Sequence, residues 1–349
     1  MSTVLIGHAA GLAHDMGAGH PERPDRLRAV NDILGGPEFA DLIRIEAPEA
    51  ERASLLLAHS EPYVDTLLQA RPTGRHLLRI DADTAMNAGT LPAILHGAGG
   101  AVLAVDAVLG KRADNAFVAM RPPGHHAERS TAMGFCFFNN AAIAARHAQQ
   151  HHGAGRVAIL DFDVHHGNGT QDIFWDDPTV MYCSTHQMPL YPGTGTAGER
   201  GDHDTIVNAP LRAGQGRDAF RSAMDDLILP RMAAFRPDLV IISAGFDAHR
   251  RDPLAQIELE ANDFAWVTAK AMDVADRCAA GRVVSLLEGG YDLQGLSLSV
   301  SAHVTALMSR TARADADPDR RRGSEAQRLG RDDLDAEARQ SHIGPLARR

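Results

Sequence analysis

The chain has 349 residues, 44% hydrophobic and 23% charged, which is enough apolar material to bury a sizeable core. Its formal charge of −10, from 35 basic and 45 acidic residues with no long single-sign run, argues against nucleic acid as a partner, because gripping phosphates needs a basic surface. No apolar run approaches the ~20 residues of a membrane helix, the first residues lack the regions of a secretion signal, and three scattered cysteines make no disulfide framework, so a reduced cytoplasmic protein without a membrane partner is expected.

Taken in chain order, short aliphatic runs bounded by Gly, Pro or Asp read as strands at Thr3–Ile6, Ala116–Met120, Val157–Leu160, Val180–Cys183, Leu239–Ser243 and Val283–Leu287. Ala-rich stretches of helical length lie between them, at Gly100–Leu109, Asn139–Gln150, Ala219–Ala234 and Asp263–Ala279. Near-continuous apolar strands alternating with helices predict an α/β domain, its parallel sheet covered on both faces. No repeat and no linker divides the run. From Thr311 onward Arg and Asp dominate and large apolar residues are few, so a domain over 1–310 is followed by a charged tail over 311–349.

Ligands of open parallel sheets bind beyond the carboxyl ends of the strands. Here those ends read Arg121-Pro-Pro-Gly-His-His126, Asp161-Phe-Asp-Val-His-His-Gly-Asn-Gly169, Ser184-Thr-His186, Ala244-Gly-Phe-Asp-Ala-His249 and Glu288-Gly-Gly-Tyr291. Eighteen histidines against four tyrosines sharpen the point, since histidine is the commonest metal ligand. Concentrating ionisable groups at one end of one sheet is the layout of an active site.

Asp161, Asp163 and His165 alternate along one strand end, which places them on one face with Phe162 and Val164 on the other. Carboxylates converging with an imidazole need a cation, and Asp247 supplies a further oxygen. Asp163, His165 and Asp247 make three ligands with a fourth position open, the arrangement of a catalytic zinc site. Capping of the next helix would explain one carboxylate and leave the others unexplained. His125 and His126 follow a rigid Pro-Pro-Gly turn, and Asp161 and Asn168 are candidate partners for the two rings. An imidazole backed by Asp is held cationic, and one backed by Asn stays basic enough to act as a general base. Tyr291, after two glycines, is a candidate donor to a developing oxyanion.

These strings, together with Gly19-His-Pro-Glu-Arg-Pro-Asp-Arg26, Gly134-Phe-Cys136 and Pro192-Gly-Thr-Gly195, resemble the histone deacetylase superfamily in order and over nearly the whole chain to Met308. The resemblance implies the arginase/deacetylase fold, a single α/β domain with an eight-stranded parallel sheet, and a zinc-dependent amidohydrolase. It implies Asp163, His165 and Asp247 as zinc ligands, His126 as general base backed by Asn168, His125 as its electrostatic partner backed by Asp161, and Tyr291 as the carbonyl-polarising hydroxyl. It also implies Phe135 and Tyr191 as walls of an acyl-lysine tunnel, Leu254 at its rim, the Gly134 carbonyl facing the substrate amide, and Arg26 in an internal acetate cavity. A structural K+ or Na+ is implied at the backbone of Asp161, Asp163, His165 and Thr185 with Ser184, and a second at Phe174, Asp177 and Val180. Asn168, where class I members carry Asp, points to the class II branch, and Tyr191 departs from the usual Phe.

Two other enzymatic or binding readings fit less well. A binuclear manganese ureohydrolase of the same fold needs more bridging carboxylates than the stretch after His165 offers, and a non-catalytic acyl-binding module would be expected to lose a ligand, the base or the tyrosine. Acyl-lysine in protein or peptide is the expected substrate. The alternative is a small acylamine such as an acetylpolyamine, which Leu254 disfavours and acidic Asp81 and Asp83 would serve.

Overall fold

The computed structural model describes residues 2–74 and 76–315, with side chains through residue 309; the rest of the expected tail, 316–349, lies outside the described residues. In chain order the strands are β1 (Thr3–Gly7), β2 (Ile43–Glu46), β3 (Leu78–Arg79), β4 (Ala85–Met86), β5 (Asn115–Val118), β6 (Val157–Asp161), β7 (Val180–Gln187), β8 (Ile206–Leu211), β9 (Leu239–Ala244) and β10 (Val283–Leu287). The α-helices are α1 (Pro24–Leu34), α2 (Arg52–Leu55), α3 (Glu61–Gln69), α4 (Thr90–Leu109), α5 (Asn140–His152), α6 (Asn168–Ile173), α7 (Arg217–Ser222), α8 (Leu229–Phe235), α9 (Ala261–Cys278) and α10 (Leu293–Asp315). A π-helical turn, Ala223–Ile228, joins α7 to α8, so the helix expected over Ala219–Ala234 is continuous but locally underwound.

Eight strands form one sheet in the order β2-β1-β5-β10-β9-β6-β7-β8, every pair parallel. Alternation along the strands sends side chains into two separate cores. Val4, Ile6, Val157, Ile159 and Ile241 pack with α4 and α5 on one face. Leu5, Ala158, Leu160, Val240 and Ile242 pack with α1, α9 and α10 on the other. This three-layer plan explains why the inner strands are apolar on both faces.

The two strands of this sheet that no apolar run announces, β2 and β8, are its two edges. Ile-Arg-Ile-Glu in β2 is half solvated, and β8 contains Pro210, which has no N–H to give a ladder and is confined to edges or strand ends. Helix α4 corrects another expectation. An 18-residue stretch of its 20 residues reaches a mean hydropathy of 1.6, long and apolar enough for a membrane crossing, yet two-thirds of that stretch is buried, packed against the sheet, α5 and the N-terminal segment. Its apolar surface is spent inside the fold. Helix α10 runs to Asp315, a few residues past the expected boundary at 310.

Caps fix the helices that matter for the site. The Asn139 side chain accepts from Ala142 N at the start of α5, and left-handed Gly153 ends it. A reciprocal Glu260/Asp263 capping box opens α9.

Candidate active site

The five strand ends that carry ionisable motifs, β5, β10, β9, β6 and β7, are consecutive neighbours in the sheet. Topology alone therefore brings residues 121–126, 161–168, 184–186, 244–249 and 288–291 to one rim. Phe162 and Val164 enter the core on the α9 side, as alternation requires, and leave Asp161, Asp163 and His165 free to converge.

Asp163, His165 and Asp247 are all buried, with one ligand atom from each within 4.8 Å of the others. His165 Nδ1 lies 3.1 Å from Asp163 Oδ1 and 3.1 Å from Asp247 Oδ2. Donors around a tetrahedral zinc at ~2.1 Å stand about 3.4 Å apart, so the set fits the ion with small adjustment. The remaining carboxylate oxygens are oriented by main chain: Gly289 N donates to Asp163 Oδ2 at 2.8 Å and Val164 N to Asp247 Oδ1 at 2.8 Å. Burial, with the Asp163 charge beside it, pushes the Asp247 carboxyl up to about 7, the signature of two carboxylates sharing one space. Gly167 is the N-cap of helix α6 and no side chain caps it, so neither Asp161 nor Asp163 is spent on capping.

The two imidazoles divide as their partners dictate. His125 Nδ1 is 3.0 Å from Asp161 Oδ2, and His126 Nδ1 is 2.8 Å from Asn168 Oδ1. Burial alone would lower both. For His125 the charges of Asp163 and Asp161 overcome it and hold the ring up at about 10. For His126 burial wins, reinforced by cationic His125 and His165, and its affinity for a proton falls well below the ordinary value. These directions belong to the protein chain alone.

Above this floor opens a cavity of about 230 Å³ lined by Asp83, His126, Gly134, Phe135, His165, Leu190, Tyr191, Leu254 and Tyr291. Four of the five expected substrate residues are on its wall. Phe135 holds a left-handed backbone (φ 69°) and meets Tyr291 edge-on at 5.9 Å, while Tyr191 meets His126 edge-on at 5.2 Å. Tyr191 is 37% exposed, at the mouth.

Arg26, the fifth, stands behind the wall. Its guanidinium lies 4.7 Å from the Tyr291 ring centre and donates to the carbonyls of Gly290 (2.6 Å) and Glu288 (2.5 Å) and to Glu22 (3.0 Å). Glu22 is fully buried, and Arg121 also holds it, at 2.6 and 2.5 Å. Burial would raise the Glu22 carboxyl, but Arg121, His14 and Arg26 hold it well below 4.5. Glu22→Gln should therefore cost about 3–5 kcal/mol, the penalty for breaking a buried ion pair from one side. A group with a depressed folded-state pKa stabilises above its unfolded value and loses that stability as pH falls. Thermal unfolding should accordingly show a large gap between wild type and variant at pH 7 that narrows below about pH 4.5; a constant gap would count against the charge as its source.

Of the expected cation-site residues, Asp161 and Ser184 are register partners on β6 and β7, with Thr185 next in line. At the second set, Asp177 N donates to the Phe174 carbonyl at 3.2 Å and the Asp177 carbonyl accepts from Thr205 at 3.1 Å, with Val180 opening β7.

Four residues without an expected role shape the site. Tyr182 donates to Asp161 Oδ2 (3.0 Å) and receives Gly167 N (2.9 Å). Glu288 accepts from Gly124 N (2.6 Å), His125 N (3.2 Å) and Ser243 (3.2 Å), pinning the histidine turn. Glu128 accepts from the Asn168 amide at 2.8 Å, which fixes which end of that amide faces His126. Asp252 receives Tyr291 N at 2.7 Å. A Glu at the end of an apolar strand run, directly before Gly-Gly, was the available signal for Glu288; nothing local marks Tyr182.

Residues 20–307 match the histone deacetylase domain family. The chain is 39% identical to a probable deacetylase of Archaeoglobus fulgidus, over 88% of this chain and 87% of that one. It is 37% identical to the polyamine deacetylase HDAC10 of Homo sapiens, over 89% of this chain and 49% of that longer protein. The crystal structure of the HDA15 HD domain aligns with a TM-score of 0.83 at 37% identity, over 88% of this chain and 89% of that one. The eight-stranded sheet is thus the arginase/deacetylase fold, and the chain belongs to the histone deacetylase family of zinc-dependent enzymes that cleave amide bonds.

Proposed function

We propose that the enzyme removes acetyl or other acyl groups from the side-chain amine of lysine in proteins or peptides. The observation that carries this reading is the cavity: two aromatic walls, Phe135 and Tyr191, and apolar Leu254 at the rim lead to His126, His165 and Tyr291. An alkyl chain with an amide at its tip matches that sequence of surfaces.

A zinc ion held by Asp163, His165 and Asp247 supplies a Lewis acid for the carbonyl and an acidified water. His126, held by Asn168, takes the proton of the attacking water. His125, kept cationic by Asp161, stabilises negative charge beside it. Tyr291 donates its hydroxyl hydrogen bond to the oxygen of the tetrahedral species. When the C–N bond breaks, the proton on His126 passes to the leaving amine, giving a free amine and a carboxylate. Residues Asp161, Asp163, His165, Ser184 and Thr185, and less centrally Phe174, Asp177 and Val180, are assigned to K+ or Na+. Asn168 is the residue that supports a class II assignment.

Tyr291→Phe should lower turnover by about 10²–10³, the usual result of deleting one oxyanion donor, with little change in ground-state affinity. An equal, large loss of affinity for an unreactive analogue would make Tyr291 a binding residue instead.

A second reading, deacetylation of small acylamines such as acetylpolyamines, is favoured by Asp83, which lies on the cavity wall where a distal ammonium would reach it. A screen of purified enzyme against acetyl-lysine peptides, longer acyl-lysines and acetylpolyamines separates the two. Higher kcat/KM on the lysine peptides is expected, and a wide preference for polyamines would sink the lysine assignment. Leu254→Glu adds a carboxylate at the rim and should shift relative efficiency toward acetylspermidine; an unchanged ratio would show that the rim does not choose the substrate.

A further inference from the structure

Far from the cavity, the ends of two neighbouring helices gather three more metal-binding side chains. Asp106 lies in the last turns of α4, and His147 and His152 in the last turns of α5. Asp106 Oδ1 is 2.7 Å from His147 Nε2 and 2.7 Å from His152 Nε2. One ligand atom from each residue lies within 4.8 Å of the others, a closeness that among the described residues is shared with the catalytic triplet.

The local geometry suits a cation held by both rings and the carboxylate. Two Nε2–H groups crowd one carboxylate oxygen, which requires the same tautomer in both neutral rings. A bound cation would replace both Nε2 protons, each ring then carrying its proton on Nδ1; His147 Nδ1 is buried without a hydrogen-bond partner in either arrangement. His147 is buried and His151 stacks on its ring at 4.5 Å and 28°, so the ring is already aimed at Asp106. Burial would raise the Asp106 carboxyl, and its bonds to His147 and His152 hold it down as an anion.

We propose that Asp106, His147 and His152 form a second divalent-metal site, separate from the catalytic one. Two imidazoles and one carboxylate suit a borderline transition cation, Zn2+ above all, with a water completing the shell. The 2.7 Å separations must widen to about 3.4 Å around an ion. His152 supplies that movement, since it is partly solvated and stands in the last residue of α5 before left-handed Gly153. The site would fasten α4 to α5 at their carboxyl ends. The opposite end of α5, roughly 20 Å away at 1.5 Å per residue over 13 residues, braces the catalytic turn through the Asn139 amide on the Ala127 carbonyl at 3.2 Å.

The test counts metal. Full-length protein without a histidine tag is equilibrated by dialysis against micromolar ZnSO4, and zinc per chain is measured by elemental analysis. Wild type should hold two zinc ions and His152→Gln one, with deacetylation by His152→Gln unchanged because it is remote from the cavity. Asp106→Asn should repeat the loss from the carboxylate side. Asp163→Ala should lose the other ion and keep this one, and adding His152→Gln to it should bring the count to zero. One zinc in wild type, or two in both His152→Gln and Asp106→Asn, overturns the proposal.

Discussion

Replacing Asp163 or Asp247 with alanine should strip the catalytic zinc and lower deacetylation by at least ~10³-fold, since Lewis-acid stabilisation is worth several kcal/mol and each 1.36 kcal/mol is a factor of ten. Both carboxylates are buried within 3.1 Å of the same imidazole nitrogen, so removing either leaves the donor set one short with no neighbour on the same point to replace it. Elemental analysis distinguishes this from misfolding when read beside circular dichroism. A folded variant with full zinc occupancy at this site would remove that residue from the ligand set. Asp161→Ala is expected to behave differently. Asp161 touches His125 and Tyr182 rather than His165, so activity should fall further than zinc content.

His126→Ala should give the complementary result: zinc retained, a hydroxamate inhibitor still bound, and turnover down by about 10²–10⁴, the contribution of a positioned general base. The assignment of the base to this histidine and not its neighbour rests on the partners. Asp161 and Asp163 hold His125 cationic, and a ring that already carries its proton cannot take another. His126 faces a neutral amide and lines the cavity where the amide bond must lie. Turnover like wild type in His126→Ala would move the role to His125.

The core of the fold was legible because buried parallel strands are apolar on both faces, and all six such runs are strands. The edges were not, because β2 is half solvated and mixes charged with apolar residues, while the buried β8 has its apolar run broken by Asn208 and Pro210. Helix α1, with Arg23 before Pro24 and charged residues spread along it, lacked the Ala-rich signature that marked α5. Within the site, residues two apart on one strand end were readable from period-two geometry, as Asp161, Asp163 and His165 show. Tyr182 was not, because its link to Asp161 runs between adjacent strands and depends on register. Arg26 was expected at an inner cavity, and the structure engages it with Glu22 and two carbonyls behind Tyr291.

Gly245 and Gly289 carry a practical lesson for anyone wishing to redirect this enzyme. A methyl group on either would run into the Asp163 carboxylate, and on Gly289 into that of Asp247 as well. The chemistry is therefore moulded around bare backbone there, whereas Leu190 and Leu254 line the cavity without belonging to the ligand set, and Tyr191 stands edge-on to both His126 and His165. Libraries aimed at new acyl groups or amines belong on Leu190 and Leu254. Hydrolytic power and substrate taste are held by different parts of the molecule, so the second can be rewritten while the first stays intact.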